Sequence, residues 1–419
     1  MSGFPSLRCF LPRCTIGLCF LAYPLLAQEP LLENEQQTQA QSFAQCVVGL
    51  QQKALSAGIS TNTVETILGQ ARYLAKILEY DRNQPEFVQT FPGYFSARVN
   101  DWRITKGREM LAKHKDFLAK LTQEYGVPGH YLVAFWGLET NFGNYIGKMP
   151  IIDSLTTLAC DERRSKFFSA ELMQALRLLE RENLAVSDMV GSWAGAMGHA
   201  QFMPTAYLTY ARDGDGDGKM DLWNSELDAL ASAANFLKAL GWQAGFRWGR
   251  EVLIPNNFDY QLAGKSNVQA LSFWREKGIT EVGNIALNNS DLPAALVVPA
   301  GHTGPAFLIY HNFEVILRWN NSEYYGIAVG QLADQIAGRG PLSKPLPDLP
   351  QYTLLEMQEF QQKLNDLGFD VGKPDGILGP ATRQGVRAFQ ASKRLIADGY
   401  PSKETVESVM SETSTDTAL

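Results

Sequence analysis

The sequence predicts a mainly helical protein of the α+β class, with a long body, a small β-containing subdomain and a short helical module at the C-terminus. Apolar residues recur with helical periodicity over most of residues 42–240. Runs at 294–299 and 307–319, the second rich in branched and aromatic residues, predict strands, and residues 324–336 predict a closing helix. The 419 residues suffice for two or three domains.

Composition excludes several classes of protein. Hydrophobic residues make up 45% of the chain and charged residues 19%, which is typical of folded globular proteins. The 37 basic residues are outnumbered by 44 acidic ones, and the sequence has no block of Lys and Arg. Because a nucleic-acid-binding protein needs a basic surface, nucleic acid is excluded as a partner and an uncharged or mixed polymer is favoured.

Residues 1–27 have the layout of a secretory signal peptide. Arg8 and Arg13 precede an apolar stretch at 14–27 that is short for a membrane span, and polar residues begin at Gln28. We therefore favour cleavage and export over a retained membrane anchor. The Gln-rich residues 28–41 are expected to form a flexible leader.

Cleavage would leave two of the five cysteines, Cys46 and Cys160. In an oxidising compartment, two cysteines can form one disulfide. Two separately buried thiols fit the sequence equally well, because nothing in it fixes the distance between the two residues.

A linker and a small module follow the body. Four prolines within residues 340–350 indicate a semi-rigid linker, which we assign to residues 338–352. The module at 353–410 has room for three short helices, the first stopping at Gly368 and the second starting at Pro380. So small a module fits a binding role better than a catalytic one.

One carboxylate is placed for acid–base chemistry. Glu139 follows Leu132 by seven residues and Trp136 by three, which puts it on an apolar helical face, and Gly143 ends the helix soon afterwards. Apolar surroundings and the negative end of the helix dipole both raise the pKa of a carboxyl group toward the range of a general acid. On spacing alone, an exposed glutamate at a helix end is an equal alternative.

A second block, residues 192–205, favours the catalytic alternative. Gly195 and Gly198 permit close backbone approach, as a groove for an extended ligand requires. Tight helix packing would explain the small residues of the block, but it would not explain Ser192 or Gln201.

These motifs resemble the lytic murein transglycosylase B family of peptidoglycan-cleaving enzymes. The resemblance rests on Glu139-Thr-Asn-Phe-Gly143, on Ser192-Trp-Ala-Gly-Ala-Met-Gly-His-Ala-Gln-Phe-Met-Pro204, and on the segments at 154–164 and 319–326. It covers about residues 43–336. The family resemblance implies a lysozyme-like catalytic domain, which we place at 42–337.

The C-terminal module has a resemblance of its own. Its segments at 362–368, 375–382 and 388–390 resemble the peptidoglycan-binding domain that is often appended to such enzymes. We therefore expect residues 353–410 to bind peptidoglycan.

The resemblance implies a mechanism for Glu139. In the family, this glutamate protonates the glycosidic oxygen between N-acetylmuramic acid and N-acetylglucosamine. Its carboxylate then removes the proton of the muramoyl C6 hydroxyl, which attacks C1 to give a 1,6-anhydromuramoyl end without consuming water. An ordinary glycosidase needs two carboxylates, and the internal hydroxyl makes the second one unnecessary.

Four further residues match sugar-binding positions of the family. Ser192 and Gln201 match positions that contact the sugar near the cleaved bond. Asn320 and Tyr325 match positions that orient the N-acetyl group and stabilise the cationic intermediate.

Two arginines match basic positions along the family's groove. The resemblance implies that Arg163 and Arg164 face the lactyl and peptide carboxylates of the substrate, which suit a guanidinium fork. The alternative is a solvated helix start.

Residues 213–224 have the pattern of the first half of an EF-hand loop. Carboxylates occupy positions one, three, five and nine, and Gly218 occupies position six. Position twelve is Asn224, so the missing carboxylate would come from the following helix, as in calcium-binding relatives of the family. The predicted ligands of a structural Ca²⁺ are Asp213, Asp215, Asp217, Lys219 (through its carbonyl), Asp221 and Asp228. The alternative is an Asp/Gly-rich turn without an ion.

We therefore expect an exported, monomeric peptidoglycan lytic transglycosylase of cell-wall turnover, a carbon–oxygen lyase in the periplasm of a Gram-negative bacterium. Its partner would be the glycan strands, its chemistry would need no cofactor, and association with the membrane or with other cell-wall enzymes is compatible with this role. The alternatives are a hydrolytic muramidase and a non-catalytic peptidoglycan-binding protein. A metal hydrolase is not supported, since the five histidines lack ligand pairing at helical spacing.

Overall fold

The computed structural model describes residues 29–82 and 89–412, with side chains from residue 38 onward. The predicted signal peptide at 1–27 lies outside the described residues. Within the described ranges, no helix is both long enough and apolar enough to cross a membrane.

The first helix, α1 (Glu29–Ser56), shows that the flexible leader expected at 28–41 is wrong. Gln and Glu dominate residues 28–41 and are good helix formers. Pro30 lies in the first turn, where proline is tolerated. Polarity here therefore accompanies helix formation and does not indicate disorder.

The helical region predicted from residue 42 includes the second half of α1 and continues after it. Its further elements are α2 (Thr61–Thr66), α3 (Ala75–Arg82), α4 (Phe91–Arg98), α5 (Asp101–Lys113), α6 (Lys115–Tyr125), α7 (Gly129–Thr140), β1 (Met149–Pro150), α8 (Ile151–Ala159), α9 (Ser165–Glu182), β2 (Val190–Gly191), α10 (Pro204–Tyr210) and α11 (Glu226–Ala239). Helix α7 is buried at every position from Tyr131 to Gly137, so it lies in the core of this body.

An antiparallel sheet of six short strands follows. Its elements are β3 (Gly249–Leu253), β4 (Gln269–Ala270), α12 (Leu271–Glu276), β5 (Thr280–Glu281), β6 (Ile285–Ala286), β7 (Pro293–Val297) and β8 (Ala306–Ile309). The strand order is β4-β7-β8-β3-β5-β6. Strand β7 confirms the run at 294–299.

The strand predicted over 307–319 is wrong beyond Ile309, because α13 (His311–Trp319) begins two residues later. In α13, Phe313, Ile316 and Leu317 are buried, whereas Glu314 and Arg318 are exposed. That is a helical alternation, and it overrides the strand propensity of the branched side chains. Helix α14 (Glu323–Ile336) then packs against α7 and confirms the closing helix.

The C-terminal module consists of three helices around its own apolar cluster, as predicted. They are α15 (Leu354–Asp366), α16 (Pro380–Ser392) and α17 (Lys403–Ser411). Thr353 and Glu356 form a capping box at the start of α15, and Gly368 adopts a left-handed φ of 86° just after its end.

Polar contacts hold this module against the body. The Asp398 carboxylate, 3% exposed, lies 2.7 Å from Nδ1 of His302 and accepts the His302 backbone N–H at 2.8 Å. Arg383 Nη2 lies 4.0 Å from the Glu323 carboxylate. Between the module and the body lies a cleft of about 990 Å³.

Candidate active site

Glu139 lies in the last turn of α7, where the sequence predicts it. The helix ends at Thr140, and Asn141, Phe142 and Gly143 follow with φ of 50°, 59° and 81°. Glu139 itself is half-buried beside a small cavity. The other residues that line the cavity are Leu132, Phe135, Trp136, His199, Ala200, Ala229, Leu230, Ala233 and Trp319. The carboxyl group therefore lies at a predominantly apolar wall.

Tyr325 is brought to Glu139 by the packing of α14 on α7. Its hydroxyl donates a hydrogen bond to Oε1 of Glu139, and the residue is 4% exposed. The ring lies 6.2 Å from that of Phe135. The phenol therefore fixes one of the two carboxyl oxygens of Glu139.

The segment at 191–202 carries Ser192 and Gln201 to the residues that follow α7. Gln201 Nε2 donates to the carbonyl of Ile146 at 3.1 Å and to that of Gly198 at 2.9 Å. Ser192 Oγ accepts the N–H of Ala196 at 2.9 Å. Strands β1 and β2 pair the two segments through Met149 and Gly191. Ser192, Gln201 and the end of the Glu139 helix thus belong to one region.

The two glycines of this segment make close approaches to the protein itself, which corrects the expectation of ligand approach. A Cβ on Gly195 would lie 2.5 Å from the Leu155 side chain, and one on Gly198 would lie 2.3 Å from the Leu222 carbonyl oxygen. Both also have positive φ. Packing and backbone conformation therefore account for these glycines.

Asn320 caps the C-terminus of α13 and is half-buried. Its carbonyl accepts the N–H of Ser322 at 2.8 Å. The preceding residue, Trp319, stacks on Phe135 with ring centroids 4.5 Å apart and lines the cavity beside Glu139. Asn320 therefore adjoins the wall of the site.

Arg163 and Arg164 both pair with Asp81, a contact that the sequence analysis missed. Arg163 donates through Nε to Asp81 Oδ2 at 2.9 Å, and Arg164 Nη1 lies 3.4 Å from Oδ1. The Asp81 side chain is 2% exposed, whereas those of the arginines are 50% and 39% exposed. A first role of the two cations is therefore to neutralise a buried carboxylate.

Residues 213–224, here called the acidic loop, bring three of the six predicted cation ligands together. Carboxylate oxygens of Asp213, Asp215 and Asp217 lie within 4.8 Å of one another. Asp228 is buried, and its two oxygens accept the backbone N–H groups of Gly214 at 2.8 Å and Asp221 at 2.7 Å. Burial raises the pKa of Asp228. In this arrangement Asp228 closes the loop.

His199 is a further residue of this region that the sequence analysis did not single out. It is 8% exposed, and its Nδ1 accepts a hydrogen bond from Trp136 Nε1 at 2.9 Å. The signal in the sequence is a lone imidazole within a block of small and apolar residues. A buried polar group in such a block needs a partner.

Cys46 and Cys160, the two cysteines among the described residues, are both disulfide-bonded. This excludes two free buried thiols.

Comparisons with known proteins agree with this architecture. Residues 42–334 match the family model of the transglycosylase SLT domain, and residues 354–409 match that of a peptidoglycan binding domain. The chain is 31% identical to membrane-bound lytic murein transglycosylase B of Escherichia coli K12 over 295 residues, which is 67% of this chain and 79% of that protein.

Two solved structures are similar to this one. SltB3 from Pseudomonas aeruginosa, in complex with NAG-anhNAM-pentapeptide, has a TM-score of 0.84 at 41% identity and covers 88% of this chain and 100% of its own. The Escherichia coli lytic transglycosylase Slt35, in complex with calcium, has a TM-score of 0.62 at 31% identity and covers 70% of this chain and 92% of its own. The chain therefore belongs to the SLT-domain family of lytic murein transglycosylases.

Proposed function

We propose that this peptidoglycan lytic transglycosylase cleaves the MurNAc-β-1,4-GlcNAc bond with Glu139 as its single acid–base catalyst. The supporting observation is the hydrogen bond from Tyr325 to Glu139 at the end of a buried helix. Among the residues that line the adjoining cavity, Glu139 is the one carboxylate. One carboxylate suffices if the nucleophile belongs to the substrate.

The proton moves in two steps. Glu139 donates its proton to the glycosidic oxygen as the bond to C1 of the muramoyl residue breaks. The Glu139 carboxylate then accepts the proton of the C6 hydroxyl as that oxygen bonds to C1. The enzyme regains its starting protonation state, and the product is a 1,6-anhydromuramoyl end. The anhNAM fragment bound by SltB3 supports this outcome for a similar protein.

Sugar binding is assigned to the residues around this carboxyl group. Ser192 and Gln201 would contact the sugar near the cleaved bond, since their segment adjoins the end of α7. Asn320 would orient the N-acetyl group. Tyr325 would stabilise the cationic intermediate in addition to orienting Glu139.

Arg163 and Arg164 would bind substrate carboxylates through the guanidinium edges that Asp81 leaves exposed. Each side chain keeps a large exposed fraction beside its ion pair. A fork with free N–H groups can take a second carboxylate.

The acidic loop would hold a structural Ca²⁺. The clustered oxygens of Asp213, Asp215 and Asp217 suit a hard cation, and the similar Slt35 was crystallised with calcium. Asp221, Asp228 and the carbonyl of Lys219 would complete the set. The ion would supply positive charge that fixes the loop, which is a structural role.

The C-terminal module would hold the glycan strand near the active site. The cleft that it forms with the body has three cations on its walls, Lys265, Arg383 and Arg387, against one carboxylate, Glu323. Such an excess suits the carboxylates of peptidoglycan stem peptides.

The remaining assignments concern the compartment. A signal peptide at 1–27 and a Cys46–Cys160 disulfide fit export to the periplasm of a Gram-negative bacterium, with retention as a membrane anchor as the alternative. The protein would act there as a monomer on glycan strands, next to the membrane or to other cell-wall enzymes.

Replacement of the carboxyl group tests the proposal. Glu139→Gln keeps the size of the side chain and removes its acid function, so we expect release of soluble muropeptides to fall by at least about 10²-fold. Glu65→Gln, at an exposed position of α2, is the matched control and should keep wild-type activity. Lysis of purified peptidoglycan at the wild-type rate by Glu139→Gln would refute the assignment.

A further inference from the structure

We infer that His199 is a positioning residue that fixes the last turn of α7, and with it the Glu139 carboxyl group, by connecting this turn to the backbone at the end of the acidic loop. The inference rests on the proposed role of Glu139. It concerns a side chain that touches neither the reacting atoms nor a predicted ligand of the cation.

Two contacts join His199 to α7, one on each side of Glu139 in the chain. Trp136 Nε1 donates to Nδ1 of the imidazole at 2.9 Å, and Thr140 Oγ1 donates to the His199 carbonyl at 2.9 Å. Because the indole N–H can only donate, Nδ1 must be the unprotonated nitrogen of the ring. The imidazole is therefore neutral, with its proton on Nε2.

A backbone contact joins His199 to the end of the acidic loop. Its backbone N–H donates to the Leu222 carbonyl at 2.8 Å. Leu222 is fully buried and directly follows Asp221. The next residue, Trp223, donates from its indole N–H to the Val190 carbonyl at 2.8 Å. His199 is thus bonded to the loop side as well as to α7.

The turn after α7 is shaped around the imidazole. A Cβ on Gly143, which has φ of 81°, would lie 2.2 Å from Cε1 of His199. Gly143 is in turn tied to α7, because its N–H donates to Thr140 Oγ1 at 3.1 Å. Ring and turn therefore occupy fixed positions relative to each other.

An apolar side chain of similar size could not replace this ring without cost. It would leave the buried Trp136 indole N–H without an acceptor, which is unfavourable for a buried donor. The Trp136 side chain would move to reach another hydrogen-bond acceptor and would displace the last turn of α7. A displacement of about 1 Å at a catalytic group can reduce the rate by about 10²-fold.

The test compares His199→Asn with His199→Leu in the full-length protein. Asn places an amide oxygen close to the position of Nδ1 and can accept from Trp136, whereas Leu cannot. On purified soluble glycan strands we expect His199→Leu to lower kcat about 10- to 100-fold with KM within about twofold, and His199→Asn to recover most of the loss. His311→Leu, at an exposed position, should behave as wild type.

A double-mutant cycle with Trp136→Phe isolates the hydrogen bond. If the bond acts as inferred, the double variant loses no more kcat than His199→Leu alone. Equal kcat for His199→Leu and wild type, or additive losses in the cycle, would overturn the inference.

Amide hydrogen exchange separates this inference from the proposed role of Glu139. His199→Leu should accelerate exchange at residues 139–143 whether or not Glu139 is the catalyst. Unchanged exchange at these residues would refute the positioning role, even if Glu139→Gln is inactive. Faster exchange together with an active Glu139→Gln would refute only the catalytic assignment.

Discussion

The hydroxyl of Tyr325 donates a hydrogen bond to Oε1 of Glu139, although the two residues are 186 positions apart in the chain. Helix α14 carries the tyrosine, α7 carries the glutamate, and the two helices pack against each other in the core. A general acid must present its proton in one direction. The packing of the two buried helices fixes the direction in which the Glu139 carboxyl group points.

Tyr325→Phe should lower kcat by about 10-fold or more, because the carboxyl group loses the donor that orients it. The ring still packs near Phe135, so the free energy of unfolding should change by only about 1 kcal/mol. Kinetics on soluble glycan strands and denaturant unfolding measure the two effects. Tyr80→Phe, at an exposed tyrosine of α3, is the control. An unchanged kcat in Tyr325→Phe would remove Tyr325 from the mechanism.

Calcium should raise the melting temperature of the metal-free protein, because the ion binds the folded loop and not the unfolded chain. Asp217→Asn removes one clustered carboxylate charge and should diminish that increase. Differential scanning calorimetry with EDTA and then with Ca²⁺ measures both. Asp291→Asn changes an exposed aspartate outside the acidic loop and should respond to calcium as the wild type does. No calcium effect on the wild-type protein would exclude the ion site.

Arg163→Gln should destabilise the protein by about 1–3 kcal/mol, because the buried carboxylate of Asp81 loses the nearer of its two arginine partners. Asp81→Asn in the Arg163→Gln background should recover part of this loss, since it removes the uncompensated charge. Denaturant unfolding gives these values. The KM for glycan strands tests the second proposed role of Arg163: an unchanged KM in the rescued double variant would refute contact with substrate carboxylates.

The contact between Asp398 and His302 should make stability depend on pH. Burial alone would raise the pKa of Asp398, but hydrogen bonds from the His302 side chain and from the Tyr400 and His302 backbones outweigh it and lower the pKa. A lowered folded-state pKa stabilises the protein above the pKa of an unfolded aspartate, about 3.9, and this stabilisation is lost as the pH falls through the lower folded-state value.

Asp398→Asn should therefore destabilise the protein at pH 7 by about 1–3 kcal/mol, and the difference from wild type should shrink in acid. Urea unfolding at several pH values, with Asp291→Asn as control, tests this. A difference that stays constant with pH would show that the charge of Asp398 is not what matters.

Local patterns in the sequence predicted much of the fold but not the contacts between distant segments. Helical spacing was enough to put Glu139 in the last turn of α7 beside an apolar wall. The strand prediction from branched residues failed at 311–319. These residues form a helix, because their buried positions recur with helical period. The Gln-rich start of α1 likewise had the composition of a flexible leader and the propensity of a helix.

The partners of the site residues could not be found in this way. Tyr325 was assigned by resemblance to a family, and its bond to Glu139 depends on helix packing. Asp81 lies 82 positions from Arg163, and His199 lies 63 positions from Trp136. No periodicity links such pairs, because their proximity is a consequence of tertiary structure.

Cleavage in water enriched in ¹⁸O tests the central claim, that Glu139 cleaves the glycan without admitting water, most directly. Purified protein is incubated with peptidoglycan in this water, and the released muropeptides are weighed by mass spectrometry. We predict 1,6-anhydromuramoyl ends with no ¹⁸O incorporated. Reducing muramoyl ends that carry ¹⁸O would show that water is the nucleophile and would contradict the mechanism.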